Sequence, residues 1–171
     1  MKKVMYFLVA GIFTVASCTS NEKQGQETET STTAPVEETA PATQDANEMV
    51  ISLNAGDDMK FDLSEIKVKE GQTVKLTLTH TGKMAKTAMG HNFVLLAAGV
   101  SLTDFASKAM GAQSTDYIPA GSEKDIIVHT KLLGGGESDT IEFTAPAKGS
   151  YEFLCSFPGH SALMKGTFIV E

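Results

Sequence analysis

Thr73-Val74-Lys75-Leu76-Thr77-Leu78-Thr79 alternates polar and apolar side chains without a break. Successive side chains of a strand point to opposite faces, so Val74, Leu76 and Leu78 line one face and Lys75 and the threonines the other. One buried and one wet face is what a half-solvated antiparallel strand requires. Thr140-Ile141-Glu142-Phe143-Thr144 repeats the pattern. Working outward, short runs of the same kind lie at Met49 to Leu53, Asn92 to Leu96, Asp125 to His129, Tyr151 to Leu154 and Gly166 to Val170, each between turn residues. Seven short strands at this spacing predict an all-β sandwich. One stretch departs from the period of two. Leu102, Phe105, Ala106 and Ala109 recur at helical spacing within Ser101 to Met110, which predicts one short inserted helix stopping at Gly111. Gly134-Gly135-Gly136 predicts a tight turn or loop, and it lacks the strand and helix context of a phosphate-binding loop.

The 171 residues leave room for one ordinary domain and an appendage, and composition places the appendage at the N-terminus. Residues 1–17 carry Lys2 and Lys3 before an apolar stretch too short to span a bilayer, which reads as a secretory signal. Val15-Ala16-Ser17-Cys18 resembles the lipobox of bacterial lipoproteins, which implies lipid on Cys18. Residues 18–48 then make a polar tract whose seven carboxylates face one lysine, Lys23. It has too few large apolar residues to offset chain entropy, so it is expected to be a flexible acidic linker. From Met49 onward 11 lysines stand against 14 carboxylates, a balance that argues against a nucleic-acid partner. Residues 49–171 are therefore the expected folded domain. The expected location is outside the cytoplasm, with the domain lipid-anchored to a bacterial membrane and facing periplasm or cell exterior.

Two cysteines are present, and lipid on Cys18 would leave Cys155 without a disulfide partner in an oxidising compartment. Metal binding would protect such a thiol. Cys155-Ser156-Phe157-Pro158-Gly159-His160-Ser161-Ala162-Leu163-Met164 packs a thiol, an imidazole and a thioether into ten residues, and Met89-Gly90-His91-Asn92-Phe93 offers a second imidazole. A soft thiolate, two imidazoles and a weak thioether are the ligand set of blue-copper sites. Each residue taken singly has a plainer reading: Cys155 as a small buried hydrophobe, Met164 as core filler, His91 as a satisfied interior histidine. Their joint arrangement favours copper.

These segments, with His129-Thr130-Lys131-Leu132, resemble the azurins of the cupredoxin family from Leu78 to the end of the chain. The resemblance implies a Greek-key β-sandwich holding one copper ion. It makes His91, Cys155 and His160 the trigonal ligands and Met164 the long axial ligand, with the Gly90 carbonyl approaching opposite. It makes Asn92 and the Phe157 backbone the groups that tie the ligand loops together and hydrogen-bond the sulfur. It also implies that electrons leave by the edge of His160, within an apolar patch of Met84, Ala88, Met89, Phe157, Pro158, Ala162 and Leu163, with Lys83, Lys86 and Lys165 orienting the partner. His129 is expected to be no ligand, and His80 to lie near the copper as a possible pH modulator. Two departures stand out. The cysteines of the family's disulfide are absent, and Phe93 stands where azurins often carry tryptophan.

The functional expectation is an electron carrier, not an enzyme. Its partners would be redox proteins such as c-type cytochromes or terminal reductases, met briefly by a monomer. The alternative is a periplasmic or surface copper-binding module for delivery or storage. A redox enzyme would need an open coordination position or a further metal cluster, for which no spare histidine pair at suitable spacing exists. Zinc can also occupy soft nitrogen and sulfur sites.

Overall fold

The computed structural model of the protein describes residues 47–171. The expected signal, Cys18 with its expected lipid, and nearly all of the expected acidic linker lie outside the described residues. Eight strands form two sheets: β1 (Glu48–Ala55), β3 (Thr73–His80) and β6 (Ser138–Thr144) in one, and β2 (Glu65–Val68), β8 (Lys165–Val170), β7 (Gly149–Leu154), β4 (Val94–Leu96) and β5 (Ile126–His129), in that order, in the other. Besides one-turn α1 (Lys86–Met89), the connections carry α2 (Leu102–Ala109) and short 3-10 turns at Gln113–Thr115 and His160–Ala162. The all-β sandwich with an inserted helix is the fold.

β3 behaves as its alternation requires, with Val74, Leu76 and Leu78 fully buried and Lys75 exposed. Its pairing differs from expectation on one side: it runs antiparallel to β6 but parallel to β1. β2 is a strand that period-two reading passes over. Ile66 and Val68 face the core, but Phe61 and Leu63 just before them alternate in the opposite phase, and only parallel pairing with β8 settles the register.

The inner faces of both sheets meet in one core around Leu53, Leu76, Leu78, Leu95, Phe153 and Phe168, all fully buried. β4 is buried on both sides. Leu95 joins this core, while Val94 and Leu96 pack under Leu102 and Phe105 of α2. Ser101 caps that helix by accepting from the Asp104 N–H, and the helix ends at Ala109, with Met110 as its cap and Gly111 just beyond.

Both ends of the described chain lie at one pole. Thr73 N–H donates to the Asn47 carbonyl, Gly71 N–H to Ala145, and Glu70 N–H to Glu171. β1 then runs to Ala55 at the other pole, where β3 ends in His80 and β7 leads into Cys155.

Candidate metal centre

At that second pole the loop after β7 folds back on itself. Phe157 and Pro158 enter a turn closed by His160 N–H donating to the Phe157 carbonyl, and Gly159 takes φ +82°, a left-handed conformation that favours glycine. A short 3-10 turn follows, and the His160 carbonyl accepts from Leu163 and Met164. The Cys155 N–H donates to the Met164 carbonyl at 2.9 Å, which closes the loop into a rigid ring and keeps Met164 fully buried.

His91 reaches this loop from a separate segment, bridged to Leu133 by hydrogen bonds in both directions. One donor atom from each of His91, Cys155 and His160 lies within 4.8 Å of the others, and all three residues are buried. Sγ of Cys155 sits 3.6 Å from Nδ1 of His160 and 3.8 Å from the Gly90 carbonyl oxygen.

Which nitrogen of His91 faces the cluster follows from hydrogen bonding. Nε2 donates to the Gly56 carbonyl at 2.8 Å, so Nδ1 is the unprotonated nitrogen, and it is a buried atom with no partner. An orphaned buried acceptor costs free energy unless something occupies it. A metal ion bound beside the thiol supplies what is missing, and two imidazoles with a thiolate suit copper.

His80 is close but otherwise engaged. Its Nε2 donates to the Met89 carbonyl at 2.8 Å, its Nδ1 accepts from the Gly82 N–H at 3.1 Å, and its ring stacks on His91 with centroids 4.3 Å apart. It supports the ring of His91, and both of its nitrogens are engaged. His129 is exposed, with Nδ1 against the Thr130 carbonyl, outside the cluster.

Asn92 is the cross-tie between the segment of His91 and the loop that carries Cys155 and His160. Its side-chain oxygen accepts from the Ser156 N–H and its amide donates to the Ser156 hydroxyl, each at 2.8 Å, in a fully buried position. The backbone N–H groups of Asn92 and Phe157 both point at the Cys155 sulfur. Asn92→Ala leaves the buried Ser156 N–H without an acceptor and is expected to cost about 2–3 kcal/mol, read as a lowered urea midpoint. The apolar residues at this pole range from exposed Met84 (42%) and Leu163 (59%) through exposed Ala88 and Ala162 to half-buried Met89 and Pro158. Phe157 is buried, and His160 keeps only 3% of its surface, so the ring edge open to solvent is narrow.

Sequence reasoning missed the supports behind the His91, Cys155 and His160 cluster. Gly56 gave no signal, because its contribution is a carbonyl. The triple glycine proves to be a packing block: a Cβ on Gly135 would fall 2.6 Å from backbone atoms of Lys83, and Gly135 N–H donates to the Met84 carbonyl.

Burial sets the protonation of the cluster. It pushes the Cys155 thiol up to about 11, against the pull of the two N–H groups, and pushes His160 down to about 4, helped by the charges of His91 and His80. Burial lowers His91 as well. At neutral pH the site is therefore one thiol and two neutral imidazoles, and metal uptake is expected to release about one proton. Calorimetry in buffers of different ionisation enthalpy checks this. The sign for stability follows. Below an ordinary histidine value of 6.5 the unfolded chain takes up protons that folded His160 refuses until about 4, so metal-free stability falls as pH drops through that window. Above 9 the unfolded thiol ionises before the folded one does, and stability falls again. Urea midpoints of metal-free protein should thus peak between about 6.5 and 9.

A sandwich that holds a protonated thiol and an unpartnered imidazole nitrogen together at one pole is built as a cupredoxin. Comparison with known proteins agrees: residues 47–171 match the copper binding proteins of the plastocyanin/azurin family. The chain belongs to that family, and its site takes one copper ion. Azurin-2 of Alcaligenes xylosoxydans xylosoxydans is 43% identical over 121 residues, covering 68% of this chain and 92% of that protein. Outer membrane protein H.8 of Neisseria gonorrhoeae is 37% identical over 125 residues, covering 71% and 67%. Among solved structures, auracyanin A, a "blue" copper protein of Chloroflexus aurantiacus, is 31% identical with a TM-score of 0.66, covering 72% of this chain and 99% of that one.

Proposed function

We propose that the protein is a blue-copper electron carrier in which His91, Cys155, His160 and Met164 would hold the metal, with the Gly90 carbonyl beside the Cys155 sulfur. The observation that carries the reading is the buried His91 Nδ1, aimed without a partner at the cluster that holds Cys155 and His160. Bound there, copper supplies a one-electron couple. The chain's part is to keep the donors still, because ligand movement between oxidation states would add to the barrier for transfer. The closed ring from Cys155 to Met164, the Asn92 cross-tie and the stacked His80 all serve that end. No substrate is transformed.

His160 is the proposed exit, through its narrow open edge among Met84, Ala162 and Leu163. Apolar, methionine-bearing surfaces suit brief contacts with more than one redox protein, and weak redox encounters use small interfaces. Export with lipid on Cys18 is supported by the sequence of residues 1–18 and by likeness to a relative named as an outer membrane protein. Among the described residues no helix is long and apolar enough to cross a membrane.

The test is to load the protein with Cu(II), record visible absorption, and titrate with reductant. An intense thiolate-to-copper band that bleaches and returns reversibly is the expected result. Tight binding of Cu(I) or Zn(II) alone, with no such band, would overturn the carrier reading in favour of copper delivery or storage.

A further inference from the structure

Asp57 lies outside the donor set, in the loop that follows β1, yet it touches the backing of both stacked histidines. The preceding carbonyl, of Gly56, is the acceptor that orients His91. The Asp57 carboxylate accepts from the Lys83 N–H at 2.9 Å and from the Met84 N–H at 3.3 Å. It lies so close against Gly82 that a Cβ there would fall 2.1 Å from Oδ1. Gly82 in turn donates its N–H to His80 Nδ1, and His80 Nε2 donates to the Met89 carbonyl, one residue before Gly90. The 82–84 turn is therefore clamped from two sides, by Asp57 on one and by Gly135 N–H on the Met84 carbonyl on the other. Releasing the Asp57 side frees the Gly82 N–H that fixes the His80 tautomer, and with it the ring stacked at 4.3 Å on His91.

The carboxylate is also uncompensated. Among the described residues the ion pairs are Lys67 with Glu65 and Lys131 with Asp139, so no lysine side chain neutralises Asp57. The Lys83 N–H holds its carboxyl below the usual range, with the Met84 N–H and the charges of His80 and His91 adding to this. It is a fixed negative charge near the metal pole at neutral pH.

We propose that Asp57 is a positioning residue for the copper centre, holding the 82–84 turn that sets the tautomer of His80 and its stacking on His91, while its charge favours Cu(II) over Cu(I). The second half rests on the electron-carrier reading. The first does not, since the imidazoles are arranged before any metal binds.

Two variants separate the parts. Asp57→Asn keeps an oxygen for the Lys83 N–H and loses the charge, whereas Asp57→Ala loses both. Each is compared with the unaltered protein in two measurements. The first is solvent exchange of the His80 and His91 Nε2 protons by NMR, in metal-free and Cu(I)-loaded protein. The second is the reduction potential of the copper-loaded form. Both variants are expected to lower the ratio of Cu(II) to Cu(I) affinity about threefold to tenfold, a rise of about 30–59 mV at 59 mV per decade for one electron. Only Asp57→Ala is expected to speed exchange of the imidazole protons, by about tenfold or more, with Asp57→Asn close to the unaltered protein. Equal effects of the two variants on exchange would reduce Asp57 to a distant charge and overturn the positioning role, as would exchange in Asp57→Ala that matches the unaltered protein. An unchanged potential in Asp57→Asn would overturn the electrostatic half. The exchange measurement on metal-free protein stands even where the blue band fails to form, so the two readings fail separately.

Discussion

Cys155→Ser is expected to abolish the intense visible absorption of the copper-loaded protein entirely and to weaken Cu(II) binding by more than about a hundredfold, the upper cost of losing a mere supporting hydrogen bond to a ligand. The thiol is a soft donor within reach of both imidazoles, and hydroxyl oxygen replaces it with a hard, weakly acidic group. The fold should survive, because serine is smaller and the Asn92 and Phe157 N–H groups that face the sulfur can still donate to oxygen. Absorption spectra and competition titrations with a copper chelator check the loss, and thermal melts of metal-free protein check the fold. A variant that kept an intense blue band would overturn the assignment of Cys155 as a ligand.

Phe153→Ala has the largest effect expected on stability. The Phe153 ring is fully buried between Phe61 and Phe93, with centroids at 5.7 and 5.2 Å, and sits at the meeting of the two sheets. Truncating a buried phenylalanine costs about 3–5 kcal/mol, a large share of the roughly 5–15 kcal/mol that holds a domain together. Among the described residues Cys155 is a free cysteine, so no disulfide offsets the loss. Metal that binds only the folded state should recover part of it, about 2.7 kcal/mol at a hundredfold excess over the dissociation constant. Urea unfolding of the variant with and without Cu(II) is the measurement. A copper-independent midpoint would contradict this linkage.

How much of this was legible in sequence depended on how local each signal was. Alternation placed β3 and β6 because each turns one face toward water and the other toward the core, fully buried in β3 and half-buried in β6. β4 was legible only in part: the run from Asn92 suggested a longer strand, but Asn92 turns its side chain to Ser156, and Val94, Leu95 and Leu96 are buried on both faces because α2 covers the outer one. β2 was hidden by a change of phase between Leu63 and Ile66, and its partner residues on β8 lie just over a hundred positions away in sequence, as Glu65 pairs with Thr167. The parallel pairing of β1 with β3 leaves no mark on either strand alone. At the metal pole, Cys155, His160 and Met164 are close in sequence and could be read together. The placement of His91 beside them is a tertiary fact, and the carbonyl of Gly56, the clamp by Asp57 and the stacking of His80 depend on backbone geometry that composition does not encode.

The placement of Asn47 and Glu171 at one pole and of Cys155 at the other makes the domain a pendant. β1 spans the distance between the poles, about 25 Å for eight extended residues. Cargo, a solid support or another domain spliced on at either residue would therefore hang from the blunt end, leaving the metal pole pointing outward and free to swing. The same domain strung in tandem through its two ends would present its metal poles side by side along one flank, a row of contacts with no change to any of them.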